Sequence, residues 1–156
     1  MTAGRAQVVL FEPEIAANVG AIGRTCVAAG ATLWLVRPLG FRLDDKQRRR
    51  AGLDYWDRLD VRLVDGLDQV VEALGPDTLW SFTTKASRRL WDARFVDGDA
   101  LIFGPESRGL PAWWRDAQPP DRLLRIPMTP EARSLNLASA VAIGLYEAIR
   151  QLDGIS

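Results

Sequence analysis

Three stretches of this chain space out side chains capable of chemistry. The first, Asn18-Val-Gly-Ala-Ile-Gly-Arg24, follows an apolar run, Gln7 to Phe11, and reads as the start of a helix. In open α/β sheets, ligands gather beyond the carboxyl ends of strands. An arginine one or two turns into that helix can reach a phosphate or a developing negative charge. The second, Leu101-Ile-Phe-Gly-Pro-Glu-Ser-Arg-Gly-Leu-Pro111, is a buried strand running into a Gly/Pro-rich loop, where glycine lets a ligand approach the backbone closely. The third, Arg125-Ile-Pro-Met-Thr-Pro-Glu-Ala-Arg-Ser-Leu-Asn136, carries two prolines that force an extended, rigid loop. Ser134 and Asn136 can both cap the helix that follows, and the first amides of that helix are free to bind polar ligand atoms.

The types of residue available narrow the chemistry. The chain has no histidine and a single cysteine, Cys26. Ser-His-Asp triads, H-E-x-x-H zinc sites, imidazole acid–base work, an intramolecular disulfide and a cysteine ligand cluster are therefore excluded, and no metal is expected. What remains is a poor toolkit for proton transfer near neutral pH. It suits a reaction in which a cofactor carries the difficult step. Familiar motifs fail in the second stretch. Gly109 is followed by Leu110, not by the lysine of a P-loop. Ser107 has Pro105 two residues before it, not the glycine of a nucleophile elbow. A G-x-G-x-x-G dinucleotide fingerprint is also missing.

The elements that must position these residues alternate. Residues 7–11, 32–36, 61–64, 78–84, 100–103 and 123–126 read as strands. Residues 18–30, 44–53, 66–74 and 134–152 read as helices, with Asn18 as the N-cap of the first and Gly30 as its stop. In the last helix, Leu135, Ala138, Val141, Ala142, Leu145 and Ile149 form one apolar stripe. The pattern predicts an α/β domain with a parallel sheet of five or six strands and helices on both faces. At 156 residues, one domain spanning 1–156 is expected.

Twenty Lys and Arg balance 20 Asp and Glu. A uniformly basic nucleic-acid binder is thus unexpected, though a local basic face is allowed. Lys46, Arg48, Arg49 and Arg50 make the densest cationic run, while Arg42, Lys85 and Arg108 fall near the three stretches. No apolar run approaches the roughly 18 residues of a membrane span and no signal-peptide pattern opens the chain. A reducing cytoplasm is the expected setting.

Taken together, and in register with Phe11-Glu-Pro-Glu-Ile15, Arg50-Ala-Gly-Leu-Asp-Tyr55, Thr83-Thr-Lys85, Phe103-Gly-Pro-Glu106, Arg108-Gly-Leu-Pro111 and Arg125-Ile-Pro-Met128, the three stretches resemble the motifs of the SpoU branch of the SPOUT RNA methyltransferases. Within that branch the chain is most similar to the short TrmL type, which methylates the ribose of the tRNA wobble nucleotide. The resemblance covers almost the whole chain. It implies a deep trefoil knot formed by about residues 80–150, with the final loop and helix threaded through the loop region around 104–122. It implies S-adenosyl-L-methionine (AdoMet) as cofactor and S-adenosyl-L-homocysteine as product. The carried-over cofactor positions are Phe82, Gly104, Ile126 and Ser134, with Thr83, Met128 and Leu135 as neighbours. Arg24 becomes the principal catalytic residue. Asn18, Glu106, Ser134 and Asn136 would orient Arg24 or the ribose, and Tyr146 would support the site or a dimer interface. A guanidinium does not give up its proton at neutral pH, so Arg24 is expected to orient the 2′-oxygen and stabilise its charge. The resemblance also implies a homodimer, in which Arg24 of one subunit could complete the site of the other. The substrate would be the tRNA anticodon stem-loop, approached by Arg42, Lys46, Arg48, Arg49, Lys85 and Arg108. Two alternatives stay open at this point: 2′-O-methylation of another RNA such as ribosomal RNA, and a non-catalytic RNA-binding module.

Overall fold

The computed structural model describes residues 5–43 and 54–152. Its strands are β1 (Gln7–Phe11), β2 (Thr32–Val36), β3 (Val61–Val64), β4 (Leu79–Phe82), β5 (Arg88–Arg89), β6 (Ala100–Phe103) and β7 (Leu123–Arg125). Its α-helices are α1 (Ala16–Ala29), α2 (Leu67–Leu74), α3 (Ala112–Ala117) and α4 (Leu137–Gln151). The strands form one parallel sheet in the order β3-β2-β1-β6-β4-β7-β5.

β1, β2, β4 and β6 are buried along their whole length. This is why they read as unbroken apolar runs rather than alternating ones. Successive side chains of β1 enter opposite cores. Val8 and Leu10 pack with Ile22, Cys26, Val141 and Leu145 beneath α1 and α4. Val9 and Phe11 pack with Leu67, Val70, Leu110 and Trp114 beneath α2 and α3. Three buried tryptophans find acceptors for their indole N–H groups: Trp34 on Gln7 (2.8 Å), Trp80 on Asp99 (2.9 Å) and Trp114 on Ser81 (2.9 Å). Burial pushes the Cys26 thiol up to about 12, so it is a core side chain and not a nucleophile.

Several expectations need correction. Among the described residues the sheet has seven strands, not five or six, because a two-residue strand of arginines, β5, completes its edge. α1 starts at Ala16, and Ile15 rather than Asn18 stands at its N-cap position. Ile15 has no side-chain acceptor, so another part of the chain does the capping. The C-terminus of α1 ends as expected at Gly30, in the left-handed conformation (φ 70°). α4 begins at Leu137 with Asn136 as its cap, accepting from Ser139 N at 3.1 Å; Ser134 lies before the helix and does not cap it. The helix expected over residues 44–53, with Lys46, Arg48 and Arg49, lies outside the described residues. No helix among the described residues is long and apolar enough to cross a membrane.

Candidate active site

Because the strands are parallel, their carboxyl ends share one edge of the sheet. Beyond the adjacent strands β6, β4 and β7 the following segments converge: residues 83–85, 104–110 and 126–136. They enclose a cleft of about 510 Å³, within the range of roughly 300–1,000 Å³ usual for small-molecule and cofactor sites. Its floor is apolar, with Phe82, Phe103, Leu124, Leu137 and Ala140. Phe82 and Phe103 stack at 4.5 Å, inclined by 15°. α4 lies close over Phe82, since a Cβ on Gly144 would meet that ring at 3.0 Å.

Chain path and hydrogen bonds shape the walls. Thr83 N donates to Leu124 O at 2.9 Å, and Lys85 N donates to Thr83 Oγ1 at 3.2 Å, which turns the chain away from β4. The 104–110 loop folds back on itself: Gly109 N donates to Pro105 O at 2.9 Å, and Gly109 is left-handed (φ 68°). A Cβ on Gly104 would collide with the backbone of Gly109 and Leu110. Only glycine fits there, and backbone cannot swing aside as a side chain can. Gly104→Ala is expected to displace this wall and weaken binding of the cofactor the resemblance implies by about tenfold or more, for overpacking of this kind costs about 1–3 kcal/mol. Calorimetry on the folded variant measures it.

At the mouth, a carboxylate clamp joins the three stretches identified in the sequence. Glu106 Oε1 accepts from Glu14 N (2.8 Å), and its Oε2 accepts from Ile15 N (2.9 Å) and Asn18 Nδ2 (3.2 Å). Glu106 thereby caps α1 from 91 residues away, as the glutamate of a capping box does locally. Asn18 Oδ1 in turn accepts from Asn136 Nδ2 at 3.1 Å, and Asn136 caps α4. A second carboxylate answers the first: Glu14 accepts from Ser107 N (2.8 Å) and from the Ser107 hydroxyl (2.9 Å). These two bonds hold the Glu14 carboxyl below its ordinary range, with Arg108 adding to the effect. A depressed carboxylate contributes stability above its unfolded pKa and loses it as pH falls through the folded value. The Glu14–Ser107 contact is therefore fully formed at neutral pH and loosens only in acid. Arg108 also pairs with Glu12 at 3.1 Å, and Glu12 sits at φ 49°, an uncommon conformation for a residue with a side chain. Sequence reasoning does not find Glu14 or Ser107, because no local spacing marks a contact between residues 93 positions apart.

All seven residues expected around the cofactor line this cleft: Phe82, Thr83, Gly104, Ile126, Met128, Ser134 and Leu135. Asn18, Glu106 and Asn136 line it too, as do Lys85 and Arg108. Arg24 and Tyr146 do not. Arg24 follows Asn18 by six residues, about 120° around a helix of 3.6 residues per turn. It stands exposed with Ala17, Ala21 and Ala28 and makes no side-chain hydrogen bond or ion pair among the described residues. Asn18, Glu106 and Asn136, expected to orient Arg24 or the ribose, hold one another and not the Arg24 of their own subunit. Tyr146 is 45% exposed on α4, near Ile143 at 38%. Arg42 is exposed and off the cleft. Among the described residues no group of three or more His, Cys, Asp or Glu side chains could hold a metal ion.

An apolar floor, loop backbone free of a phosphate-binding fingerprint, and a wall that tolerates no Cβ fit an adenosine-bearing cofactor without phosphates. Comparison with known proteins agrees. The family described as the SpoU rRNA Methylase family matches residues 5–146. The tRNA (cytidine(34)-2'-O)-methyltransferase of Aeromonas hydrophila is 46% identical over 145 residues, covering 93% of both chains. The enzyme of that name from Escherichia coli K12 is also 46% identical, over 93% of this chain and 92% of its own. A solved structure described as giving structural insights into the 2-OH methylation of C/U34 on tRNA superposes with a TM-score of 0.86 at 46% identity, covering 97% of this chain and 99% of that one. The SpoU methyltransferase AviRb of Streptomyces viridochromogenes, in complex with AdoMet, superposes with a TM-score of 0.82 at 26% identity, covering 97% of this chain and 59% of that one.

Proposed function

The chain belongs to the SpoU methylase family, and from that premise we infer that it transfers the methyl group of AdoMet to the ribose 2′-hydroxyl of the tRNA wobble nucleotide, a cytidine or a uridine. The observation that carries this reading is identity of 46% to tRNA (cytidine(34)-2'-O)-methyltransferases along more than nine-tenths of both chains. AdoMet supplies, when bound, a methyl on a sulfonium already activated toward displacement.

What the chain adds is alignment and charge. Holding a hydroxyl in line with a reacting centre is worth several kcal/mol, up to about 7–11 in favourable systems. Phe82, Thr83, Gly104, Ile126, Met128, Ser134 and Leu135 hold the cofactor, with the apolar floor excluding water. Asn18, Glu106 and Asn136 fix the loops against one another and against the ribose. Arg24 remains cationic, orients the 2′-oxygen and stabilises the charge that develops on it.

The protein acts as a homodimer with Arg24 serving the partner's cleft. In support, Arg24 does not line its own cleft and lies on an exposed alanine face of α1; α1 packs with α4, which itself exposes Ile143 and Tyr146. Burying an apolar patch of this kind is a usual reason for a dimer. Tyr146 then belongs to the interface. The whole chain, 1–156, works as one domain with its knot in about residues 80–150. The anticodon stem-loop is the part of tRNA engaged, and the cytoplasm is the setting.

Incubation with labelled AdoMet and total RNA, followed by nuclease digestion, tests the reading. Label is expected in 2′-O-methylcytidine or 2′-O-methyluridine from the first anticodon position. Label confined to ribosomal RNA, or none despite AdoMet binding, overturns it.

A further inference from the structure

Among the described residues, the ionisable side chains lining the cleft do not balance. Four are cations, Lys85, Arg108, Arg115 and Arg133, and one is a carboxylate, Glu106. Glu106 is spent, since three N–H donors occupy its two oxygens. Two of the cations are also engaged: Arg108 pairs with Glu12 at 3.1 Å, and Arg115 Nε donates to Leu110 O at 3.1 Å. The side chains of Lys85 and Arg133 make no hydrogen bond or ion pair among the described residues. Both stand exposed, Lys85 on the segment after β4 and Arg133 on the segment after β7, and both line the one cleft. The sulfonium of the cofactor adds further positive charge. The described lining thus presents an excess of positive charge to whatever binds there, and RNA is the polyanion of the proposed reaction.

Ribose chemistry says which anion. The 2′-hydroxyl and the 3′-oxygen sit on neighbouring carbons, so a 2′-oxygen brought to the methyl carries the 3′-phosphodiester to the rim of the cleft. Left unpaired there, that phosphate would oppose the negative charge developing on the 2′-oxygen, because like charges a few ångströms apart in a partly desolvated site repel strongly. We propose that Lys85 and Arg133 form a phosphate subsite that grips the phosphodiester on the 3′ side of the methylated ribose. This rests on the RNA 2′-O-methyltransferase reading and adds to it a binding subsite, with Arg133 as a substrate contact.

The test uses the full-length protein, an anticodon stem-loop RNA, and the same RNA with one neutral methylphosphonate linkage 3′ to the target nucleotide. Lys85→Ala and Arg133→Ala should each weaken binding of the natural RNA by about threefold to thirtyfold at low salt and reduce the slope of log affinity against log salt by about 0.7–0.9. KM for RNA should rise by more than turnover at saturating RNA falls. AdoMet affinity should hold within about twofold. Arg133→Lys should restore most of the affinity, since a phosphate accepts a point charge as well as a fork. The neutral linkage should cost the wild type a similar factor and cost the double variant almost nothing further. An unchanged salt slope, or equal loss from a neutral linkage in wild type and double variant, overturns the subsite. So does a loss of AdoMet affinity as large as that of RNA, which would assign Arg133 to the cofactor's carboxylate. Wild-type methylation of the natural stem-loop, run alongside, separates these outcomes from failure of the functional reading itself.

Discussion

Arg24→Ala is expected to lower methyl transfer to tRNA by about 100- to 1,000-fold, the usual cost of removing one donor to a developing oxyanion, while AdoMet affinity stays within about threefold. The second half follows from position. Arg24 is exposed on α1 and contributes nothing to the lining of its own cleft, so the folded site that receives the cofactor loses no contact. Arg24→Lys separates charge from shape. It keeps the cation and loses the planar fork of donors, and near-normal turnover would show that charge alone suffices. A subunit-mixing experiment asks which cleft Arg24 serves. Subunits carrying Arg24→Ala alone and subunits whose cleft alone is blocked are each expected to be inactive. Glu106→Ala cannot serve as the second partner, because it also uncaps the helix that carries Arg24; with Ile126→Trp, which fills the cleft from a segment away from α1, in its place, a mixed dimer regains one intact cleft facing one intact arginine if Arg24 acts across the dimer. Equal co-expression then gives about a quarter of wild-type activity, because half the dimers are mixed and each has one working site of two. If Arg24 acts within its own subunit, no activity returns. A large loss of AdoMet binding in Arg24→Ala would remove it from this role altogether.

Helical geometry alone makes the off-cleft direction of Arg24 legible in the sequence. Six residues at 3.6 per turn cannot bring Arg24 and Asn18 to one face, so of the two groups Asn18 is expected to orient, Arg24 or the ribose, an Arg24 on the same helix is out of its reach. The central strands are legible because burial on both faces leaves a continuous apolar run. Gly30 marks a helix end because the left-handed conformation there is one that only glycine adopts freely. The start of α1 is not legible. Its cap comes from Glu106, a residue in another loop, and no pattern around Ile15 records that. β5 fails differently, since two arginines at a sheet edge carry no strand signature, and backbone pairing with β7 alone defines them as one. α3 escapes because it has six residues, too few for a helical period to emerge. The cofactor wall can be placed only through the resemblance: an apolar Phe82 or Ile126 lines the cleft by chain path, not by a side-chain chemistry that spacing could reveal.

Glu106→Ala should be the most disruptive substitution outside Arg24, and for a different reason. It removes the acceptor for Glu14 N, Ile15 N and Asn18 Nδ2 together. Hydrogen bonds to charged groups contribute about 1.5–3 kcal/mol each when shielded and less where water competes, so a combined loss of about 2–4 kcal/mol is expected at this partly buried site. For a domain of this size that lowers the melting temperature by about 5–12 °C. The kinetic effect should be larger than the thermal one. α1 loses its cap, Asn18 is released from the carboxylate, and the Asn136 contact at the start of α4 loses its anchor. Misplacement of about 1 Å can cost about 100-fold in rate, so turnover should fall by that factor or more at temperatures where the variant is folded. Glu106→Gln discriminates between charge and geometry. Its single carbonyl oxygen can accept from one side only, and its amide NH2 then confronts either Glu14 N or the pair Ile15 N and Asn18 Nδ2. Asn18 could flip to accept from it, but its nitrogen would then face Asn136 Nδ2. The conflict moves along the network without being resolved, and Glu106→Gln should recover only a small part of the lost activity. Activity close to wild type in Glu106→Gln, with AdoMet affinity and melting temperature unchanged, would show that water replaces the clamp and that these loops hold their positions without it.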